Sequence, residues 1–319
     1  MYRVILDTDL AMGAPGSDID DGFALALALA DPDVSLELVT TVNGNTDVES
    51  ATTLTVELLE RLGRRDVRVV RGAADPLMRP RLARTSGSPA VPAPADGSRD
   101  PAPGRAATEI VERILAAPGE ITLVAIGPLT NVATALLLAP ELATAVREIV
   151  IMGGVFLGHT NRTGMPGEFN IWVDPDAAAV VLASGAPLRF VGLDVTRQVR
   201  LTREHAGRMA AEGRPFGTFA GKATEAWIDF LEDRNPGDES EHGSCALHDP
   251  LAMAVVTQPD LVTWREAHVD VETAGDITRG ITVADLLTTA DPPAANCRIA
   301  TAVDVAAFTD LFLDRVRAL

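Results

Sequence analysis

The sequence predicts an α/β fold with a mostly parallel central sheet flanked by helices. Short β-branched apolar runs recur along the 319 residues, and most are followed by a turn and then by apolar residues at helical spacing. The runs are continuously apolar instead of alternating, which is the pattern of strands covered on both faces. With 47% of the residues apolar, the chain can fill a large core.

In order, "RVILD" is the first strand and "DDGFALALALAD" the first helix, followed by strand "LELVTTV" and helix "DVESATTLTVELLERLG". "VRVVRG" is the third strand, "ITLVAIG" leads to the helix "LTNVATALLLAP", and "EIVIMGG" and "LRFVGLDV" bracket the helix "PDAAAVVLASG". The stretch from Leu201 to Leu231 reads as helices placed after the main sheet, and "DVAAFTDLFLDRVRAL" as a closing amphipathic helix. The segment from Met78 to Arg105 is rich in Pro, Gly, Ser and Ala without a sustained period, so it is either a flap over a site or a plain insertion. No internal repeat and no clean linker divides the chain, so residues 1–319 read as one domain. In such a sheet, ligands bind beyond the carboxyl ends of the strands.

A formal net charge of -18 repels phosphate backbones and anionic lipid surfaces, which excludes nucleic acid and membrane as main partners. A small neutral or cationic ligand, or a metal ion, fits the charge. The two cysteines, Cys245 and Cys297, form no CxxC pair and read as packed, reduced thiols. "MYRVILDTDL" lacks the features of a secretory signal and no apolar run reaches membrane-spanning length, so a cytoplasmic protein is expected.

Between the first strand and first helix, "ILDTDLAMGAPGSDIDDGFALALALA" holds five carboxylates, at Asp7, Asp9, Asp18, Asp20 and Asp21. Capping and the helix macrodipole account for two at most, those at the helix start. Two carboxylates about 4 Å apart repel by about 4 kcal/mol at an effective dielectric of about 20, so several converging ones need protons or a cation. With no His or Cys at hand, a hard divalent ion such as Ca²⁺ or Mg²⁺ suits the donors better than zinc. Two further polar signals lie downstream: His248 and Asp249 open a helix in "SCALHDPLAMAVV", and Glu168 and Asn170 flank Phe169 on a loop in "GEFNIWVDPDAA", where they could read sugar hydroxyls.

These pieces, with "TTVNGNT", "VAIGPLTNVATAL", "IMGG" and "TRGITVAD", occur in one order across nearly the whole chain, which resembles the inosine-uridine-preferring nucleoside hydrolases. The resemblance implies a Rossmann-like core, a bound Ca²⁺ at the base of the pocket, and hydrolysis of the N-glycosidic bond of a ribonucleoside or a close relative. It implies that Asp9 is both a metal ligand and the general base, that Asp21 and Asp249 grip the ion, and that the carbonyl of Ile126 is the remaining protein ligand. Asp20, Asn45, Met152, Asn161, Glu168 and Asn170 match substrate-binding positions, and Asp7 supports the site. His248 matches a histidine that assists the leaving base, either by giving a proton or by positioning the base alone. A homodimer or homotetramer is implied as well. The chemistry agrees: an oxocarbenium-like sugar is stabilised by fixed negative charge, and a carboxylate near a metal-bound water can take its proton.

The sequence departs from that family in three places. "LAMGAPGSDI" lengthens the interval between Asp9 and Asp20, adding Asp18, Gly13 and Gly16; a glycine turn that lets the loop bulge over the metal is expected there. The Pro-rich segment replaces the family's His-Gly stretch, and the loop "GHTNRTGMPGEFN", with His159 and Arg162, is one residue longer. Two other readings stay open: a haloacid-dehalogenase-type phosphatase, which needs a lysine near the phosphate where the chain has only Lys222, and a nucleoside- or ribose-binding protein without turnover.

Overall fold

Alternate residues of each central strand enter different cores, which is why apolar residues follow one another along the strands instead of alternating. In the computed structural model, which describes residues 1–14, 16–79, 99–158, 164–287 and 289–319, the strands are β1 (Tyr2–Thr8), β2 (Val34–Thr41), β3 (Arg68–Arg71), β4 (Ile121–Ala125), β5 (Glu148–Met152), β6 (Leu188–Val191), β7 (Arg200–Thr202), β8 (Ser244–Ala246), β9 (Val262–Val271), β10 (Thr282–Asp285) and β11 (Cys297–Val303). The helices are α1 (Asp20–Ala30), α2 (Val48–Arg61), α3 (Ala106–Ala116), α4 (Thr130–Leu138), α5 (Leu142–Ala145), α6 (Phe169–Val173), α7 (Pro175–Leu182), α8 (Leu193–Thr196), α9 (Arg203–Ala211), α10 (Pro215–Arg234), α11 (His248–Ala254) and α12 (Val305–Val316). Val4, Leu6, Val39, Val124, Val150 and Val191 face one core with α1, α2 and α9 to α12. Ile5, Leu38, Leu123, Ile149, Ile151 and Phe190 face the other, with α3, α4, α5 and α7.

The nine strands of the main sheet run in the order β10-β9-β11-β6-β5-β4-β1-β2-β3. All six strands read from the sequence are present, and every pairing among them is parallel. The sheet continues beyond them: β11 pairs parallel with β6, and β9 and β10 add antiparallel pairings at the edge. These edge strands are not evident in the sequence because "VTWREAHVDV" is half exposed and carries no continuous apolar run. Beyond the sheet, β7 and β8 form a separate two-stranded ribbon.

Residues 80–98 of the Pro-rich segment lie outside the described residues. Its returning end is fastened along β3: Ala102 bridges to Val70, Arg99 donates to the carbonyls of Arg65 (2.6 Å) and Val67 (2.7 Å), and Arg68 donates to that of Pro103 (2.7 Å). The interval between Asp9 and Asp20 turns at two glycines of positive φ, Gly13 and Gly16, and its apolar residues pack into the core. Leu10, Ala11, Met12 and Ala14 are buried, and the Ser17 hydroxyl closes the loop onto the carbonyls of Ala11 and Ala14, both at 2.6 Å. Its apolar residues decide the outcome, because four of them are worth more buried than exposed. Gly16 has a φ of +64°, and a Cβ there would lie 3.0 Å from the Phe230 ring on α10. Phe230 in turn stacks on Trp227, with ring centroids 5.3 Å apart.

Helix α1 carries two of the carboxylates, and its seat is set one turn on by Phe23. This ring is fully buried and meets Phe216 and Phe312 edge-on at 6.0 and 5.3 Å. Phe23→Ala is expected to lower the free energy of unfolding by about 3–5 kcal/mol, measured by chemical denaturation.

Candidate active site

Four adjacent strands deliver their ends to one place. Residues 43–45 follow β2, Thr8 and Asp9 end and follow β1, Ile126 and Gly127 follow β4, and Met152 to Gly154 end and follow β5. This is the carboxyl edge of the parallel sheet, where loops can present polar groups without breaking strand pairing. Helix α1 begins at Asp20 and α11 at His248, so Asp20, Asp21 and Asp249 all lie in first helical turns, where the dipole favours negative charge.

Oxygens of Asp20, Asp21 and Asp249 lie within 4.8 Å of one another, and all three residues are buried. Asp20 Oδ2 accepts the Asp249 backbone N–H at 3.1 Å. Asp21 accepts from the Thr8 hydroxyl and from Asn45 Nδ2 (3.0 Å), while the Asn45 backbone N–H donates to Asp9 Oδ2 at 2.7 Å. Asn45 thus joins Asp9 to the triad. Asp9 Oδ1 is buried without a hydrogen-bond partner. Burial, and then repulsion from Asp21, push the Asp9 carboxyl well above the usual carboxylate range; burial, then Asp20, Asp21 and Asp9, do the same to Asp249. Carboxyls crowded this way need protons or a cation.

Asp7 lies one strand residue behind, accepting from the Thr40 hydroxyl and from Asn131 Nδ2 at 2.8 Å. Asn131 also donates to the Thr41 carbonyl (3.0 Å) and accepts the Ala73 N–H (2.9 Å), so it locks the ends of β1 and β2 to the strand exit at Ala73. Burial raises the Asp7 carboxyl to about 7. Asp18 is half-buried and shares a hydrogen bond with the Asp20 carboxyl, and its Oδ1 accepts the Ile19 N–H at 2.7 Å.

On the other side, Glu168 ends the loop as the cap of α6, and Asn170 lies in that helix instead of on the loop. Its Oε1 accepts the Asn170 N–H (2.8 Å), and its Oε2 accepts those of Ile171 (3.1 Å) and Gly154 (3.2 Å). Burial still raises its carboxyl to about 7. Asn170 Nδ2 donates to the Ile126 carbonyl (2.8 Å) and the Met152 carbonyl (3.2 Å), which puts Ile126, Met152 and Asn170 in one cluster. His248 is half-buried, with Nδ1 2.7 Å from the Thr196 hydroxyl. Burial, with the Arg197 and Arg200 charges nearby, pushes the imidazole down to about 3.

Among the sequence-predicted residues, Asn161 lies outside the described residues, as do His159 and Arg162. Thr8, Asn131 and Thr196 were missed as partners of the carboxylates and of His248. The first two stand inside the motifs "ILDTD" and "GPLTN", so a polar residue beside a buried Asp was their available signal. Lys222 is exposed on α10.

Gly44 is required by the approach of Asp9: a Cβ there would collide with Oδ2 and lie 2.8 Å from Cγ. Gly44→Ala is expected to weaken divalent-cation binding by about 10–100-fold in titration calorimetry. Gly207→Ala, where a Cβ meets open space, is expected to leave it unchanged.

A family model described as inosine-uridine preferring nucleoside hydrolase matches residues 4–310. The chain is 35% identical, over an alignment of 323 residues, to the pyrimidine-specific ribonucleoside hydrolase RihA of Escherichia coli O9:H4 (strain HS), covering 98% of each chain. Among solved structures it is similar to a purine-preferring ribonucleoside hydrolase from Gardnerella vaginalis, with TM-score 0.86 and 30% identity over 99% of this chain and 98% of that one. It is also similar to the plant nucleoside hydrolase PpNRh1 enzyme, with TM-score 0.84 and 29% identity over 100% and 99% of the two chains. Sequence order, sheet topology and these matches agree, and the chain belongs to the inosine-uridine preferring nucleoside hydrolase family, whose members are N-glycosyl hydrolases.

Proposed function

We propose that this protein hydrolyses the N-glycosidic bond of ribonucleosides in a Ca²⁺-dependent reaction, with Asp9 taking the proton of the attacking water. The observation that carries this reading is the buried, unpartnered Oδ1 of Asp9 beside three further buried carboxylates. The donor set fits a hard cation: Asp9, Asp21, Asp249 and the Ile126 carbonyl offer oxygen alone, and Asp20 stands within reach of the same place. When bound, the ion lowers the pKa of water and orients vicinal sugar hydroxyls.

The remaining steps belong to the chain. Asp9 holds one oxygen on the Asn45 N–H and keeps the other for the water proton. The carboxylates of Asp20 and Glu168 and the amides of Asn45 and Asn170 bind ribose hydroxyls, and the same negative charge stabilises the cationic sugar as the base departs. An imidazole held at about 3 is neutral near pH 7, which supports His248 as a group that positions the leaving base. The relatives differ in the base that their names specify, pyrimidine in one and purine in another. What their names share is the ribonucleoside, and that is the substrate class.

With Ca²⁺ present, release of free base and ribose from a panel of purine and pyrimidine ribonucleosides is expected, and no release from any of them would refute the assignment. Asp9→Ala is expected to lower kcat by about 10²–10⁴-fold; wild-type turnover would remove Asp9 from its role.

A pH dependence follows for the metal-free protein. Asp7 and Glu168 have ordinary values of 3.8 and 4.5 and are raised to about 7 in the fold. Between these limits the folded chain binds more protons than the unfolded one, so their contribution is fully present at low pH and is lost as pH rises through about 7. In EDTA, calorimetry is expected to show the melting temperature falling from about pH 4.5 to about pH 7.

A further inference from the structure

The backbone leaving Met152 is held from outside itself, one N–H after another. Gly154 donates to Glu168 Oε2 (3.2 Å), Val155 to Thr282 Oγ1 (3.1 Å), Phe156 to Asp194 Oδ2 (2.7 Å), and Leu157 and Gly158 to Asp194 Oδ1 (2.8 and 3.0 Å). The Thr282 hydroxyl donates back to the Val155 carbonyl at 2.8 Å. Surface loops ordinarily satisfy such donors with water or with local turns. Here five successive donors go to three side chains, on the cap of α6, on β10 and on α8.

Of these side chains only Glu168 belongs to the site proposed above. Asp194 makes the largest share of the contacts, accepting three of the five donors. It sits in the same short helix as Thr196, whose hydroxyl meets His248. One turn of helix therefore organises both the loop on the sugar side and the histidine on the leaving-group side.

We propose that Asp194 is a positioning residue for the sugar side of the pocket: by fixing residues 156–158 it keeps Gly154 on Glu168 and Met152 against Asn170. This rests on reading Glu168, Asn170 and Met152 as ribose contacts. Losing the carboxylate frees three backbone donors but leaves Glu168 capping α6, so the pocket loosens while the fold stands. Glu168 keeps its charge and its place on α6, and what loosens are hydroxyl contacts made in the bound substrate and in the transition state alike, so the effect falls on KM.

The test compares wild type, Asp194→Asn and Asp194→Ala, loaded with Ca²⁺, for kcat, KM, Ca²⁺ affinity and amide hydrogen exchange. Asp194→Ala is expected to raise KM roughly tenfold while kcat stays within about twofold. Asp194→Asn keeps one acceptor oxygen and should fall between alanine and wild type. Ca²⁺ affinity should be unchanged in both. A wild-type KM in the alanine variant overturns the proposal, as does a parallel loss of KM, kcat and Ca²⁺ affinity with no rescue by asparagine. If the wild type itself turns over no nucleoside, the functional reading fails separately, and exchange then decides. Faster exchange in Asp194→Ala at Gly154 and at residues 168–171, together with 156–158, supports positioning; faster exchange at 156–158 alone overturns it.

Discussion

Like charge buried at the carboxyl edge of a parallel sheet is the constraint on which the rest of this structure depends. Asp9 follows the end of β1, Asp20 and Asp21 open α1, and Asp249 opens α11, 229 positions beyond Asp20, and they are held together against their own repulsion. Asp9, Asp20 and Asp21 accept from neutral donors, from Asn45, from the Asp249 backbone and from Thr8, and among the described residues no arginine or lysine pairs with the cluster. A basic partner would neutralise the cluster and fill it. Neutral donors fix geometry and leave the net charge in place for a cationic guest.

A second layer makes the first rigid. Asp7 and Asn131 bind the ends of β1 and β2 and the exit of β3 into one polar knot beneath the carboxylates. Across the pocket, Asn170 ties the Ile126 and Met152 carbonyls together. Both amides span strand ends that are neighbours in the sheet, so the site inherits its precision from strand pairing.

Much of this was legible in the sequence. Continuous apolar runs identified the six parallel strands because double burial leaves few polar positions along them. The carboxylates stood out because crowding like charge beside an apolar helix has few bland explanations, and their pairing with Glu168, Asn170 and His248 came from the family resemblance. The antiparallel edge was not legible, since a half-exposed strand such as β9 resembles many loops in composition. Nor were Asp194 and Thr282, whose partners at residues 155–158 lie 36–38 and 127 positions away and carry no local pattern. The burial of the segment after Asp9 was legible in Leu10, Ala11 and Met12, but its glycines and Asp18 drew attention toward the pocket instead.

That segment has a consequence for how the family can diversify. Gly16 is the floor on which Phe230 rests, and Phe230 carries Trp227 and lies beneath Arg234. The loop beside the carboxylates and helix α10 therefore share one packing surface. A graft of either from a relative without the other would leave a void or a clash, so in descent the two are bound to change length and residue size together.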